Sequence, residues 1–182
     1  MRVITGSARG RVLRTLEGED VRPTTDRVKE AIFSIIQFEI EGRRVLDLFA
    51  GSGQLGIEAL SRGAESAVFV DMSKDSLSTV KYNLEHTKLA DRAKVVQTDA
   101  KSYLSLSRDR FDIVFLDPPY ASNLVVDSLK ILSDKVTYGG SVICETPLDA
   151  ELPEQFGELK FYRNYRYGKI KITVYRKEST QA

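Results

Sequence analysis

The run Val45-Leu46-Asp47-Leu48-Phe49-Ala50-Gly51-Ser52-Gly53-Gln54-Leu55-Gly56 constrains the fold of this chain more than any other segment. Its first four residues read as a strand, its last residues open a helix, and the glycines between them have G-x-G-x-x-G spacing. Glycines so placed permit a tight turn and bring backbone N–H groups to the amino end of a helix, where a ligand can meet them. The same alternation of short apolar runs and helical stretches continues downstream. Strands are expected at Val45 to Leu48, Ala67 to Asp71, Lys94 to Gln97, Asp112 to Asp117 and Ser141 to Glu145, with helices at about 54–62, 73–87, 100–106 and 122–134. The pattern predicts an α/β chain built on a mostly parallel, doubly wound sheet with helices on both faces.

The flanks add smaller elements. Val3-Ile4 and Val12-Leu13 enclose the turn-forming Gly6-Ser7-Ala8-Arg9-Gly10, which predicts a small N-terminal β-hairpin, an appendage to the sheet. In Arg22-Pro23-Thr24-Thr25-Asp26 a threonine or the aspartate can cap a helix carrying Val28, Ile32, Ile35 and Ile36 on one face. Leu159 to Tyr162 and Lys169 to Tyr175 read as a closing hairpin around Tyr167-Gly168. The 182 residues show no repeat or long linker and are read as one domain, residues 1–182, with 1–21 as its N-terminal extension.

No apolar run approaches the roughly 18 residues needed to span a bilayer, and the amino terminus lacks a signal-peptide core, so a cytoplasmic protein without a membrane partner is expected. One cysteine, Cys144, and one histidine, His86, exclude an intrachain disulfide and a zinc site of Cys and His, and no metal is expected.

Net charge is +1, but its distribution is uneven. Residues 1–16 carry Arg2, Arg9, Arg11 and Arg14 with no acid; residues 160–177 carry seven Lys and Arg with no acid, interleaved with Tyr162, Tyr165, Tyr167 and Tyr175. Setting those eleven aside leaves 16 basic against 26 acidic residues, a remainder of −10. Each run alone reads as a solvated surface face; two in one chain, the second with aromatics, are drawn to a polyanion.

Three acids define a ligand for the glycine loop. Asp47 precedes it, where a negative charge opposes a pyrophosphate but suits the ammonium of a methionine moiety. Asp71 ends the next strand, where a carboxylate can accept from ribose hydroxyls, and Asp99 follows the strand after that, where it can accept from an adenine amine. Taken separately, each reads as a loop or capping residue. Their recurrence at the carboxyl ends of successive strands, where open α/β sheets bind ligands, describes a nucleoside joined to an amino acid without phosphate.

The strand Phe111-Asp112-Ile113-Val114-Phe115-Leu116 stops at Asp117-Pro118-Pro119-Tyr120. Consecutive prolines donate nothing to a sheet ladder and force a rigid extended turn, leaving carbonyls able to accept. An exocyclic amine of a nucleobase is a poor nucleophile, because its lone pair is delocalised into the ring. Acceptors at Asp117 and the Pro118 carbonyl would orient its hydrogens, and the Tyr120 ring would stack on an extruded base.

Asp47 to Gly53 followed by Asp117 to Tyr120 resembles the amino-methyltransferases of nucleic acids. Together with Arg22-Pro23-Thr24-Thr25-Asp26-Arg27-Val28-Lys29-Glu30-Ala31-Ile32-Phe33, the run Gly56-Ile57-Glu58-Ala59-Leu60-Ser61-Arg62-Gly63-Ala64 and the early Gly-Arg hairpin, nearly the whole chain resembles the RsmD family, bacterial methyltransferases acting on N2 of one guanine in small-subunit (16S) ribosomal RNA. The resemblance implies a Rossmann-like class I S-adenosylmethionine-dependent methyltransferase with a seven-stranded sheet. It implies cofactor contacts at Asp47, Phe49, Gly51, Gly53, Asp71, Met72, Asp99 and Ala100, and catalytic residues at Asp117, Pro118, Pro119 and Tyr120. Arg2, Arg9, Arg11, Arg22, Arg27 and Arg166 are the candidate RNA contacts, with 16S rRNA or a partly assembled small subunit as partner and a monomeric enzyme expected. Asp71 stands where such enzymes often carry the longer glutamate. An adenine-N6 methyltransferase of DNA or another RNA, and a noncatalytic RNA-binding module on the same scaffold, remain the alternatives.

Overall fold

A computed structural model describes residues 1–17, 26–119 and 122–179; Arg22 and Tyr120, and the expected threonine caps of the first helix, lie outside the described residues. The elements run α1 (Asp26–Ile35), β1 (Arg44–Asp47), α2 (Gln54–Ser61), β2 (Ser66–Asp71), α3 (Lys74–Thr87), β3 (Ala93–Gln97), α4 (Ala100–Leu106), β4 (Phe111–Leu116), α5 (Ser122–Leu132), β5 (Val136–Pro147), β6 (Gln155–Phe156), β7 (Leu159–Tyr167) and β8 (Ile170–Lys177).

They form one sheet of eight strands in the order β3-β2-β1-β4-β5-β8-β7-β6. β1 to β5 pair in parallel, whereas the β5–β8, β8–β7 and β7–β6 pairs are antiparallel. The expected seven strands are thus eight. The addition is the two-residue β6, held at the edge by Gln155↔Lys160 and Phe156↔Leu159, too short to leave a periodic signal. β5 also starts earlier than its expected onset at Ser141, because Val136 pairs with Phe111 before an irregular stretch at Gly139-Gly140 and the register resumes at Ile113↔Ser141.

Apolar side chains cover both faces, as buried parallel strands require. One face packs Val28, Ile32, Phe33 and Ile36 of the α1 segment, with α2 and α3, on Val45, Phe69, Ile113 and Phe115; the Phe33 and Phe115 rings stand 5.6 Å apart. The other packs Leu104 of α4 and Val125, Leu129 and Leu132 of α5 on Leu46, Val70, Val114 and Val142.

The N-terminal arm departs from the expected appendage. Its hairpin contracts to one bridge, Arg2↔Val12, with Val3 N–H donating to the Arg11 carbonyl at 2.9 Å. Pairing stops there because the next two amides are taken by another element: Ile4 and Thr5 N–H donate to the two carboxylate oxygens of Glu58 on α2, at 2.9 and 3.0 Å. Val3, Ala8 and Leu13 are buried in the core. Lys29, fully buried, donates to the Arg2 carbonyl at 2.6 Å and lies 3.8 Å from Glu58.

Candidate active site

The carboxyl ends of the parallel strands open on a cleft of about 490 Å³, within the roughly 300–1,000 Å³ typical of small-molecule sites. Strand order sets what meets there. The glycine loop follows β1, Asp71 ends the neighbouring β2, the Asp117 turn follows β4 on the other side, and Glu145-Thr146-Pro147 end β5. Asp47, Phe49, Gly51, Asp71, Asp117, Pro118 and Pro119 all line this one cleft.

Within the loop, Gly53 is the N-cap of α2 at φ 81°, in the left-handed region. Gly56 serves packing: a Cβ there would stand 2.4 Å from the Phe69 ring, so its absence lets α2 lie against β2. Gly51 N–H donates to Asp71 Oδ2 at 3.0 Å, and Ser73 N–H donates to Asp71 Oδ1 at 2.8 Å. Asp71 therefore ties the loop to the end of β2, and each carboxylate oxygen keeps a second lone pair directed to other donors.

Asp47 is 2% exposed, with Oδ2 accepting from Gly56 N–H at 3.0 Å. Burial pushes its carboxyl up to about 7; the Gly56 hydrogen bond opposes this and the Asp71 charge adds to it. A cation brought beside such a group favours its ionised form.

The remaining cofactor candidates stand apart. Asp99 is the N-cap of α4, accepting from Ser102 N–H at 2.9 Å, and hydrogen bonding from Ser102 holds its carboxyl below the usual range. Asp99 and Ala100 are not among the residues lining the cleft, nor is Met72, which is 71% exposed. Gly53 lies behind the wall, against Val80.

Sequence reasoning missed other parts of the wall. Met1, Thr15 and Leu16 bring the arm to the cleft; Thr146, Lys169 and Ile170 supply its far side. The β5 residues follow from the strand-end rule once the strand is known to reach Pro147, whereas the arm's approach has no local sequence signal.

Arg2, Arg9 and Arg11 are exposed on the arm, Arg11 donating to the His86 carbonyl at 3.1 Å, and Arg27 is exposed in the first turn of α1. Arg166 is exposed on β7, one turn from Lys169 at the cleft. Of the seven cations in 160–177, three are matched by acids outside the run: Lys160 by Glu178, Arg176 by Glu39 and Lys177 by Glu158. Arg163, Arg166 and Lys169 have no acidic partner among the described residues. Among those residues no cluster of three or more His, Cys, Asp or Glu could hold a metal ion, and no helix is long and apolar enough to cross a membrane.

A family model described as Conserved hypothetical protein 95 matches residues 1–176. Ribosomal RNA small subunit methyltransferase D of Haemophilus influenzae is 37% identical over 167 residues, 88% of this chain and 86% of that protein. The chain belongs to the RsmD family. Another relative, YlbH of Bacillus subtilis, is 42% identical over 97% of this chain and 99% of its own. The solved structure of the Escherichia coli protein yhhF matches with a TM-score of 0.89 at 32% identity, covering 99% of each chain. The fold is that of the S-adenosylmethionine-dependent methyltransferases.

Proposed function

We propose that this chain is an S-adenosylmethionine-dependent RNA methyltransferase that modifies the exocyclic N2 amine of a guanine in small-subunit ribosomal RNA. The observation that carries the reading is the single cleft shared by Asp47, Gly51 and Asp71 with the Asp117-Pro118-Pro119 turn. The residues fit the cofactor. A buried carboxyl that a cation would ionise stands at Asp47, acceptors for hydroxyls stand at Asp71, and the glycine loop from Phe49 to Gly56 contains no lysine or arginine.

Bound there, S-adenosylmethionine supplies a methyl group on a cationic sulfur. The chain's own part is positional. Asp117 and the Pro118 carbonyl accept from the two hydrogens of the amine and direct its lone pair; Asp117 favours the positive charge that develops on nitrogen. Tyr120 stacks on the extruded base. Met72 follows the end of β2, Asp99 and Ala100 follow the end of β3, and these three are assigned by the proposal to the cofactor's surroundings. Arg2, Arg9, Arg11, Arg22, Arg27 and Arg166 contact the RNA backbone, and one domain spanning the whole chain, with residues 1–21 as extension, does this work as a cytoplasmic monomer on 16S rRNA or a partly assembled small subunit.

The test is incubation with labelled S-adenosylmethionine and undermodified small-subunit particles, followed by nucleoside analysis. N2-methylguanosine is the expected product; N6-methyladenosine, or no labelled nucleoside, refutes the proposal.

A further inference from the structure

Thr146 is 5% exposed, lines the cleft, and its hydroxyl oxygen is buried with no hydrogen-bond partner among the described residues. An unpaired buried hydroxyl destabilises a fold, and its presence on a cleft wall points to a group that arrives with the ligand. The backbone holds it firmly: Thr146 pairs with Lys171 on β8, and Cys144 pairs with Leu116 on β4. Continuing the β4–β5 register by two residues sets Thr146 beside Pro118, and both line the same cleft.

Strand order decides which ligand the hydroxyl meets. The sequence β1-β4-β5 puts Thr146 beyond the Asp117 turn as seen from the glycine loop. Its backbone stands about 4.8 Å, one strand spacing, from the chain entering the Asp117 turn and about twice that from the glycine loop. That single spacing is comparable to the separation of the two exocyclic groups at opposite ends of guanine's Watson–Crick edge.

We propose that Thr146 is a substrate contact that selects guanine, its hydroxyl donating to the C6 carbonyl oxygen while the Asp117 turn holds the N2 amine; this rests on the functional reading above. Adenine held by its N6 amine at the same turn presents a C2–H to Thr146 and leaves the hydroxyl unpaired. A site built to bond one polar group discriminates strongly against a base that lacks it.

The experiment compares wild type, Thr146→Val and Thr146→Ser by thermal melting, by calorimetric binding of S-adenosylmethionine, and by kcat/KM on undermodified small-subunit particles. Thr146→Val is expected to melt at or above the wild-type temperature and to bind S-adenosylmethionine unchanged, while kcat/KM falls about tenfold or more, the size expected for a lost hydrogen bond. Thr146→Ser is expected to keep most of the activity. Wild-type kcat/KM in Thr146→Val overturns the contact; so does a lowered melting temperature, which would reveal a structural partner, or a selective loss of S-adenosylmethionine affinity. Failure of the wild type itself to form N2-methylguanosine overturns the underlying reading, and the contact with it, before any variant is compared.

Discussion

The Asp47 carboxylate accepts a hydrogen bond from Gly56 N–H at 3.0 Å, spanning the glycine loop from its first strand to its helix. Burial raises this carboxyl to about 7 from an ordinary 3.8, so the folded chain keeps a proton that the unfolded chain has released. The stability tied to that proton is fully present below about pH 4 and is lost as pH rises through about 7. Asp47→Asn removes the dependence. Chemical denaturation at pH 5 and pH 8 should show the variant gaining on the unliganded wild type across this interval, by up to ~3 kcal/mol, because about two pKa units lie between pH 5 and the folded value at about 1.36 kcal/mol each. A constant difference between the two proteins would contradict the account.

Binding of a cation at Asp47 favours its ionised form and expels the proton. S-adenosylmethionine affinity should therefore rise from pH 5.5 to about 7 and then level, with proton uptake by the buffer visible in calorimetry. Affinity insensitive to pH over that range would remove Asp47 from the ammonium's surroundings.

Glu58 joins α2 to the arm through Ile4, Thr5 and Lys29, and also accepts from Arg62 Nε at 2.9 Å. Both Glu58 and Lys29 side chains are fully buried, and desolvation lowers the Lys29 ammonium from its usual range. Glu58→Ala leaves that ammonium without its counter-charge and should cost about 3–5 kcal/mol in a urea titration. A loss below about 1 kcal/mol would mean that the arm is held by its apolar residues alone.

Asn83, fully buried on α3, accepts from Arg14 N–H at 2.8 Å and donates to the Arg14 and Ser52 carbonyls at 3.0 and 2.9 Å. It fixes the arm, just before the cleft-lining Thr15 and Leu16, to the glycine loop. Asn83→Asp keeps the acceptor but loses both donated bonds, and should weaken S-adenosylmethionine binding by about tenfold, near 1.4 kcal/mol. Unchanged affinity in a folded variant would make the arm irrelevant to the cofactor.

These two anchors also show where sequence reading stopped. The five parallel strands were legible, because each contains a short apolar run and the first four lead into helices, and the carboxyl-end rule then placed Asp47, Asp71 and Asp117 on one cleft. The arm was not. Its partners are single polar side chains, Glu58 and Asn83, bonding backbone amides and carbonyls more than fifty residues away, and backbone groups carry no residue identity. Thr146 escaped for a different reason: β5 was expected to close at Glu145, whereas its pairing with β8 runs on through Thr146 to Pro147.

Arg9 and Arg11 are both exposed on the arm. The double change Arg9→Glu with Arg11→Glu should weaken RNA binding and reduce the slope of log K against log salt by roughly 2. Equal slopes for variant and wild type would return both arginines to ordinary surface residues.

On the proposed function, the turn after Leu116 presents an amine to a methyl donor held at the glycine loop. Single-turnover methyl transfer by Asp117→Ala, with S-adenosylmethionine affinity measured on the same preparation, tests it most directly. Transfer is expected to slow by about a hundredfold or more while the cofactor's affinity stays within about twofold. Transfer at the wild-type rate would contradict it.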